Sequence, residues 1–205
     1  IEKLQKYASL FGLNERTGIE IEEAAPQIAD EFPVMAAIGQ SNNNYTTVQL
    51  ARYVTAVANE GTVYQYTLLN RLEDSDGNVL QTFEPQVRNQ IDVLDTEEWN
   101  AIHSGMRMVV ENTKEFDGFP IEAAGKTGTA QQNLKRPNHA LFVGYAPYDD
   151  PEISIATRIA YGYTSHNAAK LARNVFAYYF NVETEDELLN GQAADGNSSS
   201  NEISD

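Results

Sequence analysis

The stretch Gly125-Lys126-Thr127-Gly128-Thr129-Ala130 decides how this sequence is interpreted. Gly-Lys-Thr is the end of a phosphate-loop motif, but that motif requires another glycine five residues before Gly125, where this chain has Pro120. A phosphate loop also runs into a helix that holds the phosphates, whereas Gly128 and the β-prone Thr129 follow here. Both mismatches argue against a phosphate loop, which remains the weaker alternative.

The same residues fit a strand at the rim of a cleft. Residues 119–130 are predicted to be extended, with two glycines interrupting the strand. The missing side chain at Gly128 lets an extended peptide pair with the strand edge. The Thr127 and Thr129 hydroxyls and the Lys126 ammonium suit a carboxylate, and the Thr129 N–H suits a developing oxyanion. An ordinary edge strand with a glycine bulge is the plain alternative.

The composition indicates a folded domain with a strongly acidic surface. The chain has 205 residues, of which 14 are basic and 30 acidic, a formal charge of −16 and no cysteine. Disulfide scaffolds, thiol catalysis and cysteine-bound zinc are thereby excluded, and a nucleic-acid binder, which needs clustered Lys and Arg, is not expected. Residues 126–182 are net positive, so the counter-charge for an anionic ligand is expected there.

Helical periodicity predicts three long amphipathic helices. The first begins with a capping box formed by Thr46 and Gln49 and ends at Gly61. A shorter helix over residues 4–11 is predicted to stop at Gly12. The expected starts of the three long helices are Thr46, Asp95 or Thr96, and the cap Ser165, and the last ends near residue 181.

Turn signals predict two hairpins. One surrounds Asp76-Gly77, a pair that suits two positive φ angles, and the other surrounds the turn at residues 147–151. The expected strands are residues 67–72, 79–83, 141–146 and 153–161. Together with residues 119–130 they predict an α+β fold, in which an antiparallel sheet of at least three strands is covered by helices and accompanied by a peripheral hairpin.

Several further segments become informative in combination. They are Thr17-Gly18-Ile19, Ile38-Gly39-Gln40 with the helix that follows, Gly125 to Gln131, and His139-Ala140 with Phe142-Val143-Gly144 and Ala146-Pro147. Over about residues 4–181 this combination resembles class B penicillin-binding proteins, most closely the elongation-type members that synthesise peptidoglycan. The resemblance implies part of a serine β-lactamase/transpeptidase-like fold. Thr47 and Ser41 depart from the family's usual Pro and Gly at positions without direct chemistry.

One departure concerns the catalytic nucleophile. The resemblance implies a serine with a lysine three residues later, and no serine of this chain has one. The nearest is Ser104 with Arg107, and arginine stays protonated and cannot act as a base. Ser41-Asn42-Asn43 formally matches the family's Ser-x-Asn motif but lies in the wrong order, so we interpret it as coincidence. The nucleophile, its lysine and the true Ser-x-Asn motif are therefore expected N-terminal to Ile1 in a longer protein.

The resemblance predicts the function of this chain. Residues 1–182 are expected to be the C-terminal portion of a D,D-transpeptidase domain, and residues 183–205 an acidic, Ser- and Asn-rich disordered tail. Lys126, Thr127, Gly128 and Thr129 are predicted to bind the substrate carboxylate, with Lys126 and Thr129 also acting in catalysis. Without a nucleophile, this segment alone is expected to be inactive.

The expected partners come from the same resemblance. They are peptidoglycan stem peptides, β-lactam antibiotics and the cell-wall elongation machinery, without nucleic acid, at the extracytoplasmic face of the bacterial cytoplasmic membrane. No cofactor is implied, and no metal is expected because His103, His139 and His166 share no ligand spacing. The main alternative is a non-catalytic, transpeptidase-like module that binds cell-wall peptide or regulates a partner.

Overall fold

The computed structural model describes residues 1–190, which form two compact units. The N-terminal unit comprises Ile1–Gly105, and the C-terminal unit begins at Met106. Both units combine helices with antiparallel strands, as the predicted α+β class requires. Within the described residues, every helix is too short or too polar to cross a membrane.

The N-terminal unit contains the three helices predicted for this part of the chain and one short helix, over residues 33–37, that was not predicted. They are α1 (Glu2–Leu10), α2 (Pro33–Ala37), α3 (Thr47–Ala58) and the first part of α4 (Thr96–Glu111). The capping box of α3 forms as expected, because the Thr46 hydroxyl accepts the Gln49 N–H at 3.2 Å and the Gln49 side-chain oxygen accepts the Thr46 N–H at 2.8 Å. Two donors at the helix end are thereby satisfied.

Two short strand pairs complete this unit. They are β1 (Thr62–Gln65) with β4 (Gln86–Gln90), and β2 (Arg71–Glu73) with β3 (Val79–Thr82). The second pair forms the predicted peripheral hairpin, with every strand residue exposed. Of its turn residues only Gly77 has the predicted positive φ, at +82°, whereas Asp76 does not, and the first strand is shorter than predicted. The first pair was not predicted, because strands of four and five residues are too short to show a clear alternation.

A buried arginine holds the centre of this unit. Arg52 of α3 is 1% exposed, and its guanidinium donates to the carbonyl oxygens of Gly12, Glu15 and Arg16. These carbonyls lie just beyond α1, so the arginine ties the end of that helix to α3. Trp99 of α4 packs with Ala56, Val63 and Ile91 in an apolar cluster of the same unit.

The C-terminal unit is a three-stranded antiparallel sheet with helical cover. Its elements are a 3-10 turn (Lys114–Phe116), β5 (Ala124–Ala130), β6 (His139–Ala146), β7 (Ile153–Ile159), α5 (Ser165–Tyr179) and α6 (Glu185–Asn190). The strand order is β5-β6-β7. Residues 119–123, predicted as part of the first strand, lie outside it, and Phe119 packs edge-on against Phe116 at 5.9 Å between ring centroids.

Helix α5 covers one face of this sheet. Its alanines at 168, 169 and 172 are fully buried with Phe142 and Phe176, because small side chains let the helix approach the strands closely. The Thr157 hydroxyl of β7 donates to the carbonyl of Ala168 at 3.0 Å, which fixes the helix on the strand. Phe142 and Thr157 therefore define the face of the sheet that α5 covers.

The segment after α5 differs from its prediction. Residues 183–205 are expected to form a disordered tail, yet Glu185–Asn190 forms α6. Thr184 and Glu187 cap it reciprocally, with the Thr184 N–H donating to the Glu187 carboxylate at 2.8 Å and the Glu187 N–H donating to the Thr184 hydroxyl at 3.4 Å. Arg173 of α5 also pairs with Glu183. The remainder of the predicted tail, residues 191–205, lies outside the described residues.

Candidate functional site

The segment predicted to bind substrate is a regular edge strand. Seven residues of β5, from Ala124 to Ala130, pair with β6 without a register shift. This continuous pairing excludes the glycine bulge that the sequence left open. It also excludes a phosphate loop, because the residues after Lys126 continue the strand and do not begin a helix.

Two contacts fix which backbone groups of β6 face β7. The carbonyl of Ala146 accepts the Glu152 N–H at 3.0 Å, and the carbonyl of Phe142 accepts the Thr157 hydroxyl at 3.4 Å. Backbone groups alternate sides along an antiparallel strand. Residues 141, 143 and 145 of β6 therefore face β5.

The pairing register transfers this alternation to β5. The partners of residues 141, 143 and 145 are Gly128, Lys126 and Ala124, so their backbone groups face β6. The N–H and C=O groups of Gly125, Thr127 and Thr129 therefore point to the outer edge. The Lys126 ammonium agrees with this direction, since it donates to the Thr127 carbonyl at 2.9 Å.

The side chains of β5 divide between the two faces of the sheet. Thr127 and Thr129 lie on the face of their partners Phe142 and Ala140, which α5 covers, and both are half-buried. Lys126 lies on the opposite face and is exposed. Its ammonium nevertheless lies at the outer edge, because it donates to the Thr127 carbonyl, which points there. The ammonium and the threonine hydroxyls can therefore meet one ligand only along that edge.

The two glycines of the motif have different surroundings. A β-carbon on Gly125 would lie 2.3 Å from Cζ of Phe142 and 2.8 Å from the Val143 carbonyl oxygen, so the packing of the sheet requires glycine there. A β-carbon on Gly128 would meet only the β-carbon of Leu141, at an ordinary 3.5 Å. Packing within the described chain leaves room for a side chain at 128, which is space that a ligand can use.

Two cavities of the C-terminal unit lie away from this strand. One of about 210 Å³ is lined by residues around Arg107 and Phe119. A wider one of about 440 Å³ is lined by charged residues that include Lys114, Lys170 and Glu183. Neither includes a residue of β5. The predicted wall of a crevice is the outer edge of β5, the edge strand of this sheet.

Beyond Ala130, the loop of residues 131–138 is held by side chains that the motif search missed. The Arg136 guanidinium donates to the Tyr161 hydroxyl at 2.8 Å and lies 5.2 Å from the centre of its ring. The Tyr161 N–H donates to Nδ1 of His139 at 3.1 Å, while Nε2 of His139 lies 2.8 Å from the Gln132 side-chain oxygen. The net positive charge of residues 126–182 was the sequence signal for this cluster.

The remaining sequence candidates have structural roles. Asn42 and Asn43 accept the backbone N–H groups of Asp30 and Ala29, which ties down the loop before α3. Arg107 pairs with two carboxylates and donates to the Ala123 carbonyl. Within residues 1–190, no group of three or more His, Asp or Glu side chains is placed to hold a metal ion.

Comparison with known proteins shows to which family the chain belongs. The chain matches the penicillin binding protein transpeptidase domain over residues 1–177. The chain belongs to this family. The family recognised from the sequence is thereby confirmed.

Relatives of this transpeptidase family member include a protein named as a peptidoglycan transpeptidase and another named as a penicillin-binding protein. The peptidoglycan D,D-transpeptidase MrdA of Haemophilus influenzae is 31% identical over 88% of this chain and 33% of its own length. Penicillin-binding protein 2B of Streptococcus pneumoniae is 26% identical over 87% of this chain and 29% of its own length. The chain thus spans about a third of the curated relatives it matches.

Solved structures confirm the predicted transpeptidase-like fold. Penicillin-binding protein 2B from Streptococcus pneumoniae R6 has a TM-score of 0.76 at 25% identity, over 89% of this chain and 33% of its own. Pseudomonas aeruginosa PBP2, in complex with WCK 5153, has a TM-score of 0.72 at 25% identity, over 87% of this chain and 44% of its own. Penicillin-binding protein A of M. tuberculosis, an imipenem acyl-enzyme complex, matches at 22% identity with a TM-score of 0.76, which shows the fold alone.

Proposed function

We propose that this chain supplies the substrate-carboxylate strand of a peptidoglycan D,D-transpeptidase. The observation that carries the proposal is the outer edge of β5, to which the backbone groups of Thr127 and Thr129 point and where the Lys126 ammonium donates to the Thr127 carbonyl. An extended peptide ending in D-Ala-D-Ala pairs with such an edge as an added strand. Membership of the transpeptidase family supports this choice of peptide.

Each residue of the strand has a defined task in this proposal. The ammonium of Lys126 and the hydroxyls of Thr127 and Thr129 bind the terminal carboxylate through charge-assisted hydrogen bonds. The Thr129 N–H, directed at the outer edge, donates to the oxyanion that develops on the attacked carbonyl. Gly128 leaves the space above the strand to the ligand. β-Lactams occupy the same edge through their own carboxylate.

The chemical step needs a serine from outside this chain. Its hydroxyl oxygen attacks the carbonyl carbon of the penultimate D-alanine, the terminal D-alanine leaves with a proton, and the resulting ester is attacked by an amine of a neighbouring stem peptide. That attack forms the cross-link and returns the serine. The 205-residue chain alone is therefore inactive. The complete protein acts in cell-wall elongation at the extracytoplasmic face of the cytoplasmic membrane.

The rate at which fluorescent penicillin acylates the complete gene product tests the proposal. Lys126→Met is expected to lower the second-order acylation rate about 100-fold, because it removes a charged donor at the carboxylate. Lys170→Met removes the same charge from the exposed side of α5 and is expected to leave the rate unchanged. A Lys126→Met rate within twofold of wild type contradicts the proposal.

The position of the label separates the alternatives. Peptide mapping is expected to find the penicilloyl group on a serine outside the 205 residues, and the isolated chain is expected to remain unlabelled. A label on a serine of this chain contradicts the absence of a nucleophile. Reversible binding of a D-Ala-D-Ala peptide to the complete protein, without any covalent label, supports the non-catalytic module instead.

A further inference from the structure

His139 joins three segments of the C-terminal unit at one end of the sheet. It is the first residue of β6 and is 6% exposed. Its ring contacts Gln132 of the loop over residues 131–138, Arg158 of β7, and Tyr161 just beyond β7. The loop that follows β5 is therefore attached to the sheet through a histidine.

The two ring nitrogens of His139 have different partners. Nδ1 accepts the Tyr161 N–H at 3.1 Å and therefore carries no proton. In the neutral ring the proton is then on Nε2, which donates to the Gln132 side-chain oxygen at 2.8 Å. A neutral imidazole satisfies both hydrogen bonds, because it offers one acceptor and one donor.

A charged imidazolium does not fit the same surroundings. Both of its nitrogens carry a proton, so Nδ1 can no longer accept the Tyr161 N–H. A guanidinium nitrogen of Arg158 lies 3.5 Å from Nδ1 and 3.4 Å from Nε2, where it repels a second positive charge. Burial, and then this charge, lower the pKa of His139. Protonation is therefore favoured only when the ring leaves these partners.

Tyr161 links the histidine to the loop by a second route. Its backbone has φ 55°, a left-handed conformation that a tyrosine keeps only when other contacts hold it. Its ring lies against His139 at 4.9 Å between centroids, and its hydroxyl accepts the Arg136 guanidinium at 2.8 Å. The Tyr161 N–H bond to His139 thus supports both the strained turn and the contact with Arg136.

Among residues 124–165, only His139 titrates near neutral pH. The carboxylates of this range are Asp149, Asp150 and Glu152, and they lie between β6 and β7, at the opposite end of β6. Within the part of the chain that the structure describes, the charged groups in contact with His139 and Tyr161 are two arginines, Arg158 and Arg136. Both oppose a further positive charge.

We propose that His139 is an acid-sensitive latch, which holds Tyr161 and the attached Arg136 against β6 when it is neutral and releases them when it takes up a proton. The imidazolium can still donate to Gln132, so release begins at Tyr161. Each opening takes up one proton, so the latch is closed above pH 6.5, the ordinary histidine pKa, and opens increasingly below it. The inference concerns the chain beyond β5 and does not depend on the ligand proposed for that strand.

Backbone hydrogen exchange of the complete gene product tests the latch. The readout is the protection of residues 160–164, relative to the intrinsic exchange rate at the same pH, measured at pH 7.5 and at pH 5.5. We expect this protection to be at least about threefold lower at pH 5.5, because opening of the segment is coupled to proton uptake. The hairpin at residues 71–82 contains no histidine and is expected to keep its protection.

Two variants separate the titration of the ring from a general loosening of the loop. His139→Asn keeps an acceptor and cannot take up a proton, so the protection of residues 160–164 should be equal at the two pH values. Tyr161→Phe is the matched control, because it removes the hydroxyl bound to Arg136 but keeps the histidine and the backbone N–H of residue 161. It should lower the protection of residues 135–138 at both pH values and retain the threefold change at residues 160–164.

The wild-type protein alone can overturn the inference, by showing equal protection of residues 160–164 at pH 7.5 and pH 5.5. A His139→Asn protein that keeps the threefold change also overturns it, as does an equal loss of protection in the hairpin at residues 71–82. If His139→Asn does not fold, Arg158→Gln replaces it. Because that variant removes the charge beside the ring, its change in protection should be smaller than that of the wild type. None of these measurements involves penicillin, so their failure leaves the proposed function untouched.

Discussion

The ring of Phe142 occupies the space that a side chain at residue 125 would need, with Cζ only 2.3 Å from a β-carbon built on Gly125. Phe142 is itself fully buried under α5 and stacks on Phe116 at 5.7 Å. It cannot move aside without disturbing that core. The tight spacing between β5 and β6 therefore depends on glycine at this position.

Gly125→Ala is expected to destabilise the protein by about 2 kcal/mol, the usual cost of an extra carbon in a filled core. The measurement is the free energy of unfolding from urea denaturation. Thr127→Ser, which removes one carbon from the same strand, serves as a control for how strongly the free energy of unfolding responds to any small change in β5. A Gly125→Ala protein as stable as the wild type contradicts the packing described for Phe142.

Gly128→Val is expected to separate stability from binding. The β-carbon has room and valine favours strands, so the free energy of unfolding should change by less than about 0.5 kcal/mol. The added side chain occupies space that the ligand uses, so acylation by fluorescent penicillin should slow by at least about tenfold. Unaltered acylation in a folded Gly128→Val protein contradicts the proposed approach of the ligand.

Arg52→Met is expected to lower the free energy of unfolding by about 3 kcal/mol, because buried carbonyls after α1 lose their donor. Arg88 gives a matched control: it also pairs with Glu15, at 2.7 Å, but its side chain is 48% exposed. Arg88→Met should therefore cost clearly less than Arg52→Met. Equal losses in the two variants, measured by urea denaturation, contradict the difference in burial.

Thr46→Ala is expected to cost about 1 kcal/mol, since it removes the hydroxyl that caps α3. Thr47→Ala changes the next residue, which lies outside the capping box, and should alter the free energy of unfolding little. Thermal unfolding of the two variants side by side gives the comparison. A larger loss in Thr47→Ala is the contradictory result.

The stability of the protein is expected to fall as the pH drops below the ordinary histidine pKa of 6.5. Burial, and then the positive charge of Arg158, lower the pKa of His139. The unfolded chain therefore binds a proton at His139 more readily than the folded chain does. The stability that the neutral His139 ring contributes is complete above pH 6.5 and is lost as the pH falls below that value. The thermal midpoint between about pH 5 and 7.5 measures this slope.

His139→Asn keeps an acceptor near the position of Nδ1 and cannot take up a proton, so it should flatten that slope. An unchanged slope in His139→Asn contradicts the assignment.

Local chemistry explains which parts of this fold the sequence predicts. The capping box at Thr46 and the turn at Asp76-Gly77 each depend on residues within four positions of one another, so their patterns are visible directly. The strand at Gly125 to Ala130 is predicted for the same reason. Gly128 and Thr129, directly after the Lys126-Thr127 pair, favour a strand over a helix.

Other features depend on contacts distant in sequence. The direction of the Thr127 and Thr129 backbone groups is set by how β6 pairs with β7, which no local pattern contains. The orientation of Arg136 depends on Tyr161, 25 residues away. Helix α6 was missed because its acidic composition hid the reciprocal cap of Thr184 and Glu187.

In the proposed function, the bond from the Lys126 ammonium to the Thr127 carbonyl couples the binding of an anion to the addition of a peptide strand. An anion that draws the ammonium away exposes a carbonyl acceptor on the neighbouring residue, and an incoming peptide N–H can then take it. A ligand that offers only an anion, or only a backbone N–H, would replace only one side of this bond. Peptides that carry a free carboxyl terminus and an extended backbone are thereby favoured over simple anions of equal charge.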